Sequence, residues 1–273
     1  TTVSPTYARE IGTAPFGAGL QDELRARTDG VVGILNGVDY AQWDPRNDPY
    51  LQVHFSSDDL RGKLANRRAL IAADGLQVDP GTPLIGMVGR LTEQKGIDLL
   101  FDVLPAFLSR QRCAFAVLGA GDARYVEFFE GLRRRFAGRF AFQAGYDEAK
   151  AHLIEAGSDA FLMPSRYEPC GLNQLYSLRY GTVPIVRRTG GLADSVVHFD
   201  PASGIGTGCV FNDYDARAVE WALETTLGWF ADQESWRRLM RNAMAQDFSW
   251  GRQVVQYEAL FRRLAAAAGS SKA

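Results

Sequence analysis

Arg90 and Lys95 follow one apolar run of the chain, and Glu168 follows another. Together these three side chains could serve a sugar joined to a diphosphate. As the bond between sugar and phosphate breaks, negative charge grows on the leaving diphosphate and positive charge on the anomeric carbon. Without a metal ion, fixed cations must meet the first: Arg grips two phosphate oxygens, and Lys adds a compact charge. Gly96 leads into a helix whose N-terminus adds partial positive charge. A carboxylate can meet the second charge, and Glu168 could also hold a sugar hydroxyl. Only one carboxylate stands here, so the two-acid logic of a glycosidase is not supported. The competing reading makes Arg90 and Lys95 solvated loop residues and Glu168 a solvated or helix-capping one. Their placement directly after buried strands favours the functional reading.

Neighbouring residues extend the site. Gly171-Leu172-Asn173 open a helix and offer unpaired N–H donors. Cys170 as a nucleophile would need a base, and no His is near in sequence; a buried structural thiol or a pocket wall is the alternative. Tyr146 could stack on a nucleobase or be a core-edge aromatic. Gly119-Ala120-Gly121-Asp122 lacks the full G-x-G-x-x-G pattern, which disfavours a dinucleotide. Thr189-Gly190-Gly191 reads as a close approach to a ligand or a tight turn. His152 reads as structural, and Arg133-Arg134-Arg135 as a solvated helix end.

Apolar runs at 84–89, 114–119, 139–144, 159–163, 183–187 and 208–211 read as strands. They are continuous rather than alternating, as in strands covered on both faces. Helical spacing fills 96–109, 123–136 and 147–156 between them. The alternation predicts an α/β fold with a doubly wound parallel sheet, with ligands beyond the carboxyl ends of the strands. Arg90 and Glu168 then share one edge.

The flanks differ. Thr1 to Thr6 read as a strand already under way, and 1–50 as the last piece of a preceding domain plus its hinge, so the chain reads as part of something longer. Residues 51–246 form the expected donor domain, opened by a helix at 57–73. Helices are expected at 215–228, 233–246 and 250–266; the last carries Val254, Tyr257, Phe261 and Leu264 on one face and must bury it. Residues 247–273 form that closing segment.

The 273 residues are 46% hydrophobic and 23% charged, the balance of an ordinary globular protein. A formal charge of −2 gives no general attraction to nucleic acid or to an acidic membrane. Three widely spaced cysteines argue against a disulfide framework and fit a reducing compartment, and the three histidines lack metal-ligand spacing. No apolar run approaches a membrane span. The expectation is a soluble, cytoplasmic, metal-independent protein.

Several runs resemble the bacterial glycogen synthase and plant starch synthase family: Ser4 to Ala8, Leu35 to Asp39, Val88 to Leu91 with Gln94-Lys95-Gly96, Val117 to Gly119 with Gly121-Asp122, Gly145-Tyr146, Met163 to Tyr176, Tyr180 to Pro184 and Arg188 to Leu192. That resemblance implies the C-terminal, Rossmann-like half of a two-domain GT-B fold, with a remnant of the N-terminal domain and a final helix crossing back onto it. It implies transfer of glucose from ADP-glucose (UDP-glucose in some members) to the non-reducing end of an α-1,4-glucan, with retention and without a cofactor. Such a protein belongs in the cytoplasm, or in the plastid stroma of a plant or alga. Arg90 and Lys95 would bind the diphosphate and Glu168 would act at the glucosyl centre. Gly89, Tyr146, Ser165, Cys170, Gly171, Leu172 and Asn173 would line the donor pocket. The family's Lys-x-Gly-Gly motif and its acceptor-binding domain are not in this sequence, so the chain alone is expected to transfer glucose poorly. Two alternatives are a non-catalytic nucleotide-sugar-binding domain and another retaining transferase of the same fold, of sucrose or trehalose type.

Overall fold

A computed structural model describes residues 1–27 and 30–270. Its elements in chain order are α1 (Pro5–Glu10), α2 (Gln21–Arg25), α3 (Arg61–Ala73), β1 (Leu84–Leu91), α4 (Ile97–Arg110), β2 (Ala114–Gly121), α5 (Ala123–Arg135), β3 (Phe140–Ala144), α6 (Glu148–Gly157), β4 (Ala160–Met163), α7 (Asn173–Tyr180), β5 (Val183–Arg187), α8 (Gly190–Ser195), β6 (Cys209–Phe211), α9 (Ala216–Ala231), α10 (Gln233–Met244) and α11 (Trp250–Ser270). The strands form one parallel sheet in the order β3-β2-β1-β4-β5-β6. This is the doubly wound order, and the direction of winding reverses between β1 and β4.

Alternate residues of each strand serve two cores. One face presents Ile85, Met87, Phe115, Val117, Phe140 and Phe142 to α4, α5, α9 and α10. The other presents Ala114, Ala116, Leu118, Ala141 and Phe161 to α3, α6 and α8. Both faces are covered, which is why the strands read as unbroken apolar runs. The small alanines on the second face let its helices lie close.

One expectation needs correction. The start is not a strand: Thr2 makes a single bridge to Gly33, and Pro5 opens α1. Ser4 caps that helix by accepting the N–H of Tyr7 at 3.1 Å, and Pro at the first position suits a helix start. The final helix leaves its apolar stripe largely uncovered among the described residues. Val254, Phe261 and Leu264 remain 46%, 62% and 48% exposed, while Gln253 and Leu260 face inward. The inward face is set by where α11 leaves the body: Val38 N–H bonds Phe248 O at 2.7 Å, and Gly37 lies against Trp250 so closely that a side chain there would collide.

The early segment is fastened to the α/β body. Asp194 accepts from Thr6 N–H and Oγ1, both at 2.7 Å. Trp43 lies sandwiched between His152 at 3.6 Å and Tyr176 at 3.8 Å. His152 is buried and shares a hydrogen bond with Asp48 at 2.8 Å, consistent with a structural role.

Candidate functional site

The reversal of winding leaves a crevice between the chain segments that follow β1 and β4. After β1 the chain makes a short turn, Glu93–Lys95, and reaches Gly96 at φ 69°. A Cβ on Gly96 would stand 2.0 Å from Pro164 O, so only glycine lets this turn rest on the segment leaving β4. That contact delivers Lys95 to Glu168: Nζ lies 2.5 Å from Oε2. Ser165 Oγ donates to the same oxygen at 3.1 Å. Glu168 is only 5% exposed. A carboxylate so shielded from water depends on its cation and its hydroxyl donor.

The loop carrying Glu168 is held from several directions. Its carbonyl accepts Gly191 N–H at 3.0 Å, and Pro169 O accepts Ser4 Oγ at 2.6 Å. Gln174 Nε2 donates to Cys170 O at 2.9 Å and to Gly171 O at 3.0 Å. Asn173 Nδ2 reaches back to Val88 O at 2.7 Å, joining the two sides of the crevice. Gly190 and Gly191 explain the early glycine pair: a Cβ on either would come 1.9 Å from Glu168 O or Cys170 O. The close approach they permit is to the Glu168 loop itself.

Sequence-predicted residues fall in three groups. Lys95, Glu168 and Ser165 are in direct contact. Gly89, Gly171, Leu172 and Asn173 border the same crevice. Gly89 has φ 154° and open space where a side chain would be; Leu172 is exposed at the start of α7. Arg90 is exposed and stands one side chain away: its Nη2 donates to Gln94 Oε1 at 3.1 Å. Tyr146 follows β3 and is 81% exposed, so it is not a core-edge aromatic. It shares the edge because Gly145 N–H bonds Gly119 O at 3.0 Å. Cys170 is buried behind the crevice wall, accepts the Asn36 N–H at 3.4 Å, and has its thiol pushed up to about 11 by burial. A thiol so poorly ionised at neutral pH is no nucleophile.

Two residues escaped the sequence reading. Gln94 links Arg90 to the Tyr167 carbonyl at 3.4 Å, and its own carbonyl accepts Arg166 N–H at 2.9 Å. Its spacing of four from Arg90, beside Lys95-Gly96, was the available signal. Glu10 accepts from Thr189 Oγ1 at 2.9 Å and from Gly190 N–H at 3.0 Å, residues 179 and 180 positions further along the chain. No local pattern announces a contact of that sequence separation.

A sheet in this order, with an acid and cations at its reversal point in place of a dinucleotide's glycine fingerprint, is the Rossmann-like C-terminal domain of a GT-B fold. The chain belongs to the glycosyl transferases group 1, whose family model matches residues 72–245. It is 52% identical to the glycogen synthase of Anaeromyxobacter dehalogenans (strain 2CP-1 / ATCC BAA-258) over 97% of this chain and 55% of that protein. It is 47% identical to the glycogen synthase of Koribacter versatilis (strain Ellin345) over 96% of this chain and 54% of that one. The catalytic domain of starch synthase IV from Arabidopsis thaliana, solved bound to ADP and acarbose, superposes with a TM-score of 0.90 at 39% identity, covering 96% of this chain and 55% of that one. The chain thus spans about half the length of the curated relatives it matches. No helix among the described residues is long and apolar enough to cross a membrane.

Proposed function

We propose that this chain supplies the donor-binding half of an α-1,4-glucan synthase, a retaining hexosyltransferase that moves glucose from ADP-glucose to the non-reducing end of a glucan. The observation that carries this reading is the contact between Lys95 and Glu168 at the reversal point of the sheet. In the reaction the C1–phosphate bond breaks and a bond from C1 to the acceptor oxygen forms. The acceptor's hydroxyl proton leaves with the diphosphate. Lys95 and Arg90, with the N–H groups opening α7, are placed to receive the diphosphate's charge. Glu168 then faces the positive charge growing at C1. Gly89, Ser165, Cys170, Gly171, Leu172 and Asn173 form the walls, and Tyr146 stacks on the adenine. This division of labour routes no step through a metal. A cytoplasmic setting, where ADP-glucose and glucan meet, belongs to the same proposal.

The acceptor glucan is assigned to the portion of the relatives that this chain does not span. Trp250, Val254, Phe261 and Leu264 on the exposed side of α11 would pack against that portion. Calorimetric titration with ADP tests the donor site. Arg90→Ala and Lys95→Ala should each weaken binding by roughly tenfold or more, since charge-assisted contacts to phosphate are each worth about 1.5–3 kcal/mol. Unchanged ADP affinity in both variants would reduce the chain to a scaffold. Full glucan synthesis by this polypeptide alone would refute the assignment of the acceptor site elsewhere.

A further inference from the structure

The opposite edge of the sheet, where the strands begin, carries a cavity of about 870 Å³ that the proposed transfer reaction does not use. It lies among α3, the segment before β1, the link from α4 to β2, and the junction of α9 with α10. Its volume falls in the range of small-molecule sites, roughly 300–1,000 Å³. Leu60, Leu64, Leu227, Phe230, Trp236 and Met240 supply an apolar wall. Phe230 and Trp236 meet edge to face, with centroids 5.2 Å apart, so the aromatic part of that wall is fixed in orientation.

The charged residues around the cavity are lopsided. Lys63, Arg67, Arg110, Arg112 and Arg237 line it against a single carboxylate, Asp159. Arg67 engages Asp159 at 3.1 Å, and Arg112 pairs with Asp79 outside the cavity at 2.6 Å. Arg110 pairs with Glu220. Lys63 is buried with Nζ on Thr182 Oγ1 at 2.7 Å and Ala156 O at 3.2 Å, so its bonds go to neutral oxygens. Arg237 is exposed on α10, and its side chain makes no ion pair or hydrogen bond with any described residue. An anion entering here meets the Arg237 guanidinium, which pairs with no acid among the described residues, while Asp159 is taken by Arg67.

We propose that this cavity binds a small anionic molecule with a flat apolar body, the ring lying against Leu64, Leu227 and Phe230, with Trp236 buried behind them, and the anionic group turned to Arg237. The site is separate from the crevice holding Lys95 and Glu168, since it lies at the other ends of β1 and β4. It does not depend on the donor being ADP-glucose.

1-Naphthoate, titrated by calorimetry against its neutral counterpart 1-naphthylmethanol, provides the test. The expected result is saturable one-to-one binding of the carboxylate, about tenfold tighter than the alcohol, given the cationic mouth. Arg237→Glu should weaken naphthoate about tenfold and leave the alcohol little changed, because only the anion meets the reversed charge. Leu64→Glu, at a wall position that is 56% exposed and therefore tolerant of charge, should weaken both probes. Saturating ADP should leave naphthoate affinity unchanged. Absence of saturable binding, indifference to both substitutions, or displacement by ADP would each overturn the proposal.

Discussion

Both edges of the sheet hold a lysine near a buried carboxylate, yet the two settings differ in almost everything but residue type. At the carboxyl edge, Lys95 Nζ sits on Glu168 Oε2 at 2.5 Å beside an open crevice, and Lys95 keeps 21% of its side chain accessible. At the amino edge, Lys63 and Glu155 are enclosed and do not bond to each other: Lys63 turns to Thr182 and Ala156, and Glu155 accepts from Ser177 Oγ at 2.8 Å. Burial pushes Glu155 up to about 8 and pulls Lys63 down to about 8. The first pair presents charge to whatever enters the crevice. In the second, burial works against the charged form of each group, and the pair serves the packing of α3, α6 and α7. Residue type therefore says little about role until the exposure and partners of each group are known.

The largest effect expected from breaking this contrast is at Glu168. If Glu168 acts on charge that exists only as the bond breaks, Glu168→Gln in the complete enzyme should lower glucosyl transfer by roughly 10²–10³ while ADP affinity stays within a few-fold. Loss of ADP binding in step with activity would instead make Glu168 a donor-holding residue. The carboxamide keeps the shape, so the thermal midpoint of the variant checks that the loop bound by Gly191 and Ser4 is intact.

A smaller effect is expected at Glu155, and its pH dependence carries the sign. Folded, its carboxyl keeps a proton up to about 8, against an ordinary 4.5. The contribution of this group to stability is complete below its unfolded value and is lost as pH climbs through 8. Lys63, lowered from 10.5 to about 8, acts in the other sense: its contribution is present above its unfolded value and is lost as pH falls through 8. Glu155→Gln should therefore cost less than about 1 kcal/mol near pH 4, where the wild-type side chain is neutral in both states, should be neutral or stabilising at pH 7, and should flatten the decline in urea midpoint between acid and neutral pH. A loss of about 3–5 kcal/mol at pH 7 would mean that an ionised buried pair had been broken, and would erase the contrast between the two edges.

The carboxyl edge was the more legible of the two in sequence. Strands covered on both faces leave unbroken apolar runs, so the sheet and the loops after β1 and β4 could be read directly, and with them Lys95 and Glu168. Their direct contact could not, because it depends on Gly96 resting on Pro164, a tertiary approach. The same holds for Gly190 and Gly191, whose sequence signal was real but whose partner turned out to be the Glu168 loop. The amino edge was silent: Lys63 and Glu155 sit in amphipathic helices, where charges ordinarily face water. The stripe on α11 was legible as an apolar face, but helical spacing does not say which surface covers it.

Tyr146 offers the smallest effect and the finest test of how far the open edge extends. It stands two strands away from the Lys95–Glu168 contact, at the end of β3, and its ring is 81% exposed. A side chain so placed contributes little to folding, so Tyr146→Ala should shift stability by no more than about 0.5 kcal/mol. If the ring stacks on adenine, the same substitution should weaken ADP about five- to tenfold, at the low end of the roughly 1–3 kcal/mol found for base–aromatic stacking. Tyr146→Phe keeps the π-face and should bind ADP as the wild type does. A phosphate-only ligand such as pyrophosphate should not distinguish the three proteins, because it has no base to stack. Equal ADP affinity in all three would confine the site to the segments after β1, β4 and β5. A matching loss for ADP and pyrophosphate would point instead to a shift of the β3 loop, a change transmitted through Gly145 to the end of β2 rather than a lost contact with the base.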